Sequence, residues 1–261
     1  MTAVEDIRTI AARLAGTDLR PGPLVNGLFQ SLVAAALAAA PHELLDARTI
    51  EALHRLCSRG EANLEAHWAS RIHANPESIV DFPYLDNYRK LAAAEYRAIV
   101  DALGAAPRTL VFVGSGPLPL SAVLLAQSGH GLRVTCVDRD VHAVRQGWRV
   151  ARALIGPGAR AALTFARADA GKHDYSAYDV VLVAALVGLT RTEKATMLGR
   201  IADTLAPGSL LAARSVPEDG RRMLYPRIEH SSVPATLDVL GEVDPPPGVI
   251  NSLLLMRPAR S

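Results

Sequence analysis

The hydrophobic positions divide the chain into a first part with helical spacing and a second part with strand-like runs. In the first part, apolar residues recur at intervals of three and four at Val4, Ile7, Ile10 and Leu14, at Ile50, Leu53 and Leu56, and at Leu64, Trp68 and Ile72. Such spacing places apolar side chains on one face of a helix. Gly60 is predicted to end one helix, and Pro76 and the Phe82-Pro83-Tyr84 step interrupt the chain before a further helix over 86–103. No strand is predicted before residue 105.

From residue 106 onward, short apolar runs alternate with helix-like segments. The runs at 110–113, 134–137, 163–165 and 180–184 are typical of buried parallel strands. Thr190 and Glu193 form a capping-box pattern, which predicts a helix that ends near Leu205. Further strands are expected at 209–213 and 250–256. The pattern predicts an α/β protein, with an N-terminal helical bundle over 1–105 and a doubly wound Rossmann-like domain over 106–261.

Composition restricts the classes of partner. Of the 261 residues, 49% are hydrophobic and 21% are charged, and the net charge is +2 without a block of basic residues. We therefore expect neither a nucleic-acid nor a membrane partner. Glu5 and Asp6 are unlike a signal peptide, and the alanine-rich run 32–40 is too short to span a bilayer, so we expect a cytoplasmic protein. Apolar content in the first 50 residues is compatible with a homodimer.

Neither the cysteines nor the histidines have the spacing of metal ligands. Cys57 and Cys136 are far apart and belong to no Cys-x-x-Cys pair, so no disulfide framework or metal cage is implied. His67, His73 and His230 likewise lack ligand spacing. We assign no metal to catalysis.

A glycine turn follows the first predicted strand and precedes a helix. Gly114, Ser115 and Gly116 would let the backbone approach a ligand closely, with the helix N-terminus beyond them. Pro117 and Leu118 stand where a dinucleotide fingerprint continues toward its third glycine, which favours an adenosyl amino acid over a dinucleotide. The alternative is a tight strand–helix turn without a ligand.

Polar or small residues follow the next three strands. Asp138 ends the second strand about 20 residues past the glycines, where an acid commonly binds ribose hydroxyls. Asp140 fits a helix N-cap better. Asp169 is a candidate for the adenine amino group or for a cap. Ala184 and Ala185 either leave room for the ligand or serve ordinary packing. Together these positions predict one crevice at the carboxyl ends of the strands.

Several segments resemble a known family. Segment 114–120, Gly-Ser-Gly-Pro-Leu-Pro-Leu, resembles the signature loop of nicotianamine synthases and their bacterial relatives, the opine-metallophore synthases. Segments 82–88 and 178–188 are similar to further family blocks, as are short matches near residues 214, 225 and 251. The resemblance implies that S-adenosylmethionine is a substrate, that its 3-amino-3-carboxypropyl (aminobutyrate) arm is transferred to an amine, and that methylthioadenosine is released.

The resemblance also implies two catalytic residues. A family glutamate in a Leu-Glu context corresponds to Glu65, and a family tyrosine corresponds to Tyr88. Glu65 would accept a proton from the amine if burial raises its pKa, and Tyr88 would relay a proton or orient the amine. Without the resemblance, Glu65 would be interpreted as a solvent-facing helix residue and Tyr88 as a packed aromatic. Arg214 is a candidate for a substrate carboxylate or a surface ion pair, and Tyr225 for the border of the acceptor pocket or a turn.

Our leading hypothesis is a single transfer to the α-amine of histidine. An opine-type dehydrogenase would then complete a metallophore resembling staphylopine or pseudopaline. Glutamate or another amino acid remains open as the acceptor, as does a synthase of the nicotianamine or thermonicotianamine type. Two further alternatives are a small-molecule methyltransferase that uses S-adenosylmethionine and a non-catalytic module that binds an adenosyl ligand and a partner protein.

Overall fold

A computed structural model of the chain describes residues 2–128, 131–156 and 162–259. Its N-terminal part consists of helices and contains no strand within residues 2–105, as the periodicity predicts. The helices are α1 (Ala3–Ala15), α2 (Pro23–Ala38), α3 (Ala47–Ala74) and α4 (Leu85–Leu103), with a 3-10 helix at Pro76–Asp81 between the last two. Among the described residues, no helix combines the length and the apolar character needed to cross a membrane.

Helix α3 continues through Gly60, so the prediction that a helix ends there is wrong. A Cβ atom on this residue would lie 2.2 Å from Cζ of Phe29 in α2. Glycine therefore allows close packing of two helices here and does not terminate one. The predicted stripe on the same helix is confirmed, because Trp68 and Ile72 are buried and Leu64 packs against their cluster.

The described residues of the second part form a sheet of seven strands in the order β3-β2-β1-β4-β5-β7-β6. Strands β1 to β5 are mutually parallel, whereas β7 runs antiparallel between β5 and β6. The strands are β1 (Thr109–Val113), β2 (Arg133–Asp138), β3 (Leu163–Arg167), β4 (Val180–Val183), β5 (Leu210–Ser215), β6 (Leu237–Val243) and β7 (Ser252–Pro258). This arrangement confirms the predicted α/β fold.

The predicted strand boundaries differ from the observed ones by at most two residues, and one strand was not predicted. The pattern did not predict the edge strand β6, which is largely half-exposed and has a register irregularity between Val239 and Gly241. Strand β4 ends at Val183, one residue before the predicted end. Thr190 and Glu193 do form the predicted capping box of α7 (Arg191–Ala202), although this helix ends three residues before Leu205.

The sheet is covered on both faces because the central strands β1, β4 and β5 contain continuous apolar runs over 110–113, 180–183 and 210–213. In β5, Leu210 and Ala212 face the core beneath α4 and α5 (Leu120–Gln127), whereas Leu211 and Ala213 face the core beneath α7. Side chains alternate between the two faces of a strand, so a continuous apolar run buries both faces. Helix α6 (Val141–Leu154) packs beside α5.

The helical part and the sheet share their packing. Met223 and Leu224, from the segment after β5, are buried in the core formed by α1 to α3. In the other direction, Ala98 and Ile99 of α4 are buried against the sheet. This mutual packing holds α3 and the start of α4 over the carboxyl ends of the parallel strands.

Candidate functional site

A cavity of about 1260 Å³ lies between the helical part and the carboxyl ends of the strands. Parallel strands end at the same edge of a sheet, so loops that are distant in the sequence meet there. Every site residue singled out from the sequence borders this cavity: Glu65, Tyr88, Gly114, Ser115, Gly116, Pro117, Leu118, Asp138, Asp169, Ala184, Ala185, Arg214 and Tyr225.

The glycine turn after β1 touches the helical part directly. Gly114 and Gly116 have φ angles of 76° and 64°, in the left-handed region that favours glycine. A Cβ atom on Gly116 would lie 2.4 Å from Oε2 of Glu65. Glycine at this position therefore allows the carboxylate from α3 to lie against the loop that follows the first strand.

The two predicted aspartates are held differently. Asp138, the last residue of β2, is half-buried and accepts hydrogen bonds from the backbone N–H of Gly116 (3.0 Å) and of Asp140 (2.9 Å). It thereby joins the ends of β1 and β2. Asp169 lies two residues after β3, is exposed, and accepts a hydrogen bond from the N–H of Gly171 (2.9 Å). Asp140 caps α6, as predicted.

Glu65 and Tyr88 form a contact between α3 and α4. The Tyr88 hydroxyl donates to Oε1 of Glu65 at 3.4 Å. Burial, followed by repulsion from the Glu61 carboxylate, raises the pKa of Glu65 to about 8. Burial also raises the pKa of Tyr88 well above its ordinary value, so this residue stays a protonated donor. The Tyr88 ring packs against Phe82, with ring centroids 5.8 Å apart.

Arg214 is one half of a buried ion pair. Its Nε and Nη2 donate to Oε1 (2.6 Å) and Oε2 (2.9 Å) of Glu95, and Nη2 also donates to the Ser121 hydroxyl (2.7 Å). The alternation that buries Leu210 and Ala212 beneath α4 and α5 also directs this side chain there. Arg214 and Glu95 are only 7% and 1% exposed, so the surface ion pair considered from the sequence is wrong. In the described part of the chain, Nη1 of Arg214 has no hydrogen-bond partner.

A second carboxylate borders the cavity and was not singled out from the sequence. Glu61 lies on α3 one turn before Glu65 and accepts a hydrogen bond from the Tyr225 hydroxyl. Two glutamates four residues apart share one face of a helix, and this spacing was the signal that would have revealed Glu61. Burial raises the pKa of Glu61 as well.

A buried lysine supports the loop that begins with Ala184. Lys194 Nζ donates to the carbonyl oxygens of Ala185 (2.7 Å) and Val187 (3.1 Å). Burial lowers the pKa of Lys194 to about 7. Among the residues that the structure describes, no group of three or more His, Cys, Asp and Glu side chains is placed to hold a metal ion.

Solved structures with a similar fold include two of MtNAS. The one described as a complex with MTA and tNA has a TM-score of 0.83 and 22% identity over 98% of both chains. A glutamate-to-glutamine variant of MtNAS in complex with S-adenosylmethionine has a TM-score of 0.77 and 20% identity. Magnesium protoporphyrin IX methyltransferase from Synechocystis, with bound SAH, matches 66% of this chain at a TM-score of 0.54.

Sequence comparison identifies relatives over almost the full chain. The rice protein Nicotianamine synthase 3 (Oryza sativa subsp. indica) is 36% identical over 275 residues, which cover 97% of this chain and 78% of its own length. The barley protein Nicotianamine synthase 1 (Hordeum vulgare) is also 36% identical and covers 98% of the chain. The model of the family described as nicotianamine synthase protein matches residues 1–261. A match of this extent shows that the chain belongs to the nicotianamine synthase family.

Proposed function

We propose that the protein transfers the 3-amino-3-carboxypropyl arm of S-adenosylmethionine to the α-amine of an amino acid and releases methylthioadenosine. The observation that carries this proposal is the direct approach of Glu65 to Gly116. A half-buried carboxylate that has a tyrosine donor reaches the loop expected to hold the adenosyl ligand. The neighbour described with S-adenosylmethionine supports the same choice of substrate.

Each part of S-adenosylmethionine is assigned to residues at the end of a particular strand. The adenosyl group would lie against Gly114 and Gly116, where no Cβ atom intervenes. Asp138 keeps free lone pairs on both carboxylate oxygens, with which it would bind the ribose hydroxyls. Asp169 borders the cavity and would accept a hydrogen bond from the adenine amino group. Ala184 and Ala185 leave room beside the ligand because their side chains are small.

Transfer of the arm requires a particular carbon of the sulfonium to face the nucleophile. S-adenosylmethionine has three electrophilic carbons on one sulfur, and the one held in line with the amine reacts. Attack at Cγ of the methionine arm forms a C–N bond and breaks the C–S bond, whose electron pair neutralises the sulfonium. The side chains of α3 and α4 line the side of the cavity opposite the sheet, and the amine would approach that carbon from this side.

Glu65 would take the proton that the amine loses. The raised pKa of Glu65, about 8, makes this carboxylate a stronger base than an ordinary glutamate and brings it nearer to the pKa of the α-ammonium group whose proton it would accept. The sulfonium cation favours the ionised form of Glu65 when it enters the cavity. Tyr88 orients this carboxylate by its hydrogen bond. Nη1 of Arg214 is proposed to bind a substrate carboxylate, with Tyr225 at the border of the acceptor pocket.

Histidine is the proposed acceptor, and an opine-type dehydrogenase is the proposed next enzyme. The alternative is a synthase that uses other acceptors, and the names of the rice and barley relatives favour it. Membership of the nicotianamine synthase family disfavours both an ordinary methyltransferase and a module without activity.

Mass spectrometry of the purified protein with S-adenosylmethionine and either D- or L-histidine tests the proposal. We expect methylthioadenosine and a histidine that is heavier by one aminobutyrate unit. Glu65→Gln should abolish this product, whereas Glu51→Gln, the same exchange at an exposed position of α3, should retain it. S-adenosylhomocysteine as the product would refute the proposed reaction. Methylthioadenosine formed only with another amino acid would retain the reaction and exclude histidine.

A further inference from the structure

The cavity contains two tyrosine–glutamate pairs, and the proposed reaction uses only one. Tyr88 donates to Glu65, and Tyr225 donates to Glu61, which lies 164 residues away in the sequence. All four side chains border the same cavity. A second carboxylate that is held by its own donor needs an explanation beyond proton removal by Glu65.

The charge around Glu61 favours a cation. Glu61 and Glu65 are carboxylates on one helix face, and the negative charge of Glu61 contributes to the raised pKa of Glu65. Arg214 is the cation that acts on both, but its Nε and Nη2 are already bonded to Glu95. Within the described residues, Glu61 and Glu65 therefore lack a cation of their own, and a cationic group of a substrate would be attracted to them.

Two glutamates four residues apart on a helix are spaced to bind two nitrogens of one small molecule. Side chains four residues apart on a helix have Cβ atoms roughly 5–6 Å apart. If Glu65 accepts the proton from the α-amine, a second nitrogen at about this distance would reach Glu61. The imidazole of histidine and the terminal amine of a short diamino acid are at comparable distances from their α-amines, whereas an acidic side chain would be repelled.

We propose that Glu61 determines acceptor specificity by binding a basic side-chain nitrogen of the acceptor. The inference rests on the proposed transfer reaction and adds the chemical class of the acceptor, an amino acid with a second basic nitrogen. Tyr225 holds Glu61 in position through its hydroxyl.

The test compares histidine with 3-(2-thienyl)alanine, a similarly shaped amino acid without a basic nitrogen, and with glutamate. Release of methylthioadenosine gives kcat and KM for each acceptor. A hydrogen bond to a charged group predicts that histidine is preferred over thienylalanine by roughly ten- to hundredfold in kcat/KM. Glu61→Gln should reduce this preference to about threefold or less, mainly by raising KM for histidine, and should leave thienylalanine almost unchanged.

Two variants keep the result interpretable. Tyr225→Phe retains the carboxylate but removes the donor that orients it, and should weaken the preference in the same direction by a smaller factor. Glu51→Gln on α3 is the matched control and should keep the wild-type preference.

The outcomes separate the two proposals. An unchanged histidine preference in Glu61→Gln, or an equal loss of activity with both acceptors, would overturn the specificity role while the transfer reaction stands. A preference of the wild-type protein for glutamate over histidine would also overturn the specificity role of Glu61 and leave the transfer reaction standing. Absence of methylthioadenosine with every acceptor would overturn the transfer reaction and, with it, the inference.

Discussion

Replacement of Glu65 by glutamine should stabilise the protein, and the gain should grow with pH. In the folded protein the pKa of Glu65 is about 8, compared with 4.5 for an ordinary glutamate. A group with a raised pKa contributes stability at low pH, and this contribution is lost as the pH rises from 4.5 to about 8, because the unfolded chain releases the proton first. Glutamine does not titrate, so the variant lacks this loss.

The expected gain in stability can be calculated from the raised pKa of Glu65. The difference between 4.5 and about 8 corresponds to a loss of at most about 5 kcal/mol in the free energy of unfolding at high pH. Glu65 is half-buried and borders the cavity, so water there lowers the cost of the ionised form. We therefore expect Glu65→Gln to gain about 1–3 kcal/mol relative to the wild type between pH 5 and pH 8.5.

Urea unfolding of ligand-free protein at pH 5 and at pH 8.5 measures this change. Glu51→Gln, with the same exchange at an exposed position of α3, shows what the substitution does by itself. The reasoning is refuted if the stability of Glu65→Gln relative to the wild type does not increase with pH, or if Glu51→Gln shows the same increase. Glu65→Gln should also be inactive. A variant that is more stable and inactive would show that this carboxylate is needed for activity although it destabilises the folded protein.

Three further substitutions test other parts of the site. Gly116→Ala should abolish methylthioadenosine release in a turnover assay, because a Cβ atom there would lie 2.4 Å from Oε2 of Glu65 at a φ of 64°. Glu95→Gln should lower the free energy of unfolding, measured in urea, by about 3 kcal/mol, because it leaves Arg214 buried without a charge partner. The double variant that also carries Arg214→Met should recover much of this loss, because the buried charge is then gone. In the wild type, the free energy of unfolding should rise between pH 7 and pH 10.5, because the unfolded chain binds the Lys194 proton more tightly than the folded protein does across that range. Lys194→Met should remove this rise, and urea unfolding at pH 7 and pH 9.5 measures it.

The crevice at the carboxyl ends of the strands was predictable because its signals are local. The apolar runs of β1, β2 and β4 mark buried strands, and the residues just after them must lie at one edge of a parallel sheet. The glycine turn at 114–116 and Asp138 are therefore placed by pattern and topology together. The resemblance then selected Glu65 and Tyr88 from among ordinary helical residues, which periodicity by itself does not do.

The remaining features depend on which distant segments meet, and only the tertiary structure decided them. Gly60 has the sequence signal of a helix end, yet it lies within α3 because Phe29 of another helix packs against it. Arg214 and Glu95 are 119 residues apart, and Tyr225 and Glu61 are 164 residues apart. A sequence pattern reports which face of an element is apolar. The partner that a buried charge finds depends on how those faces dock, and that is a property of the whole packed chain.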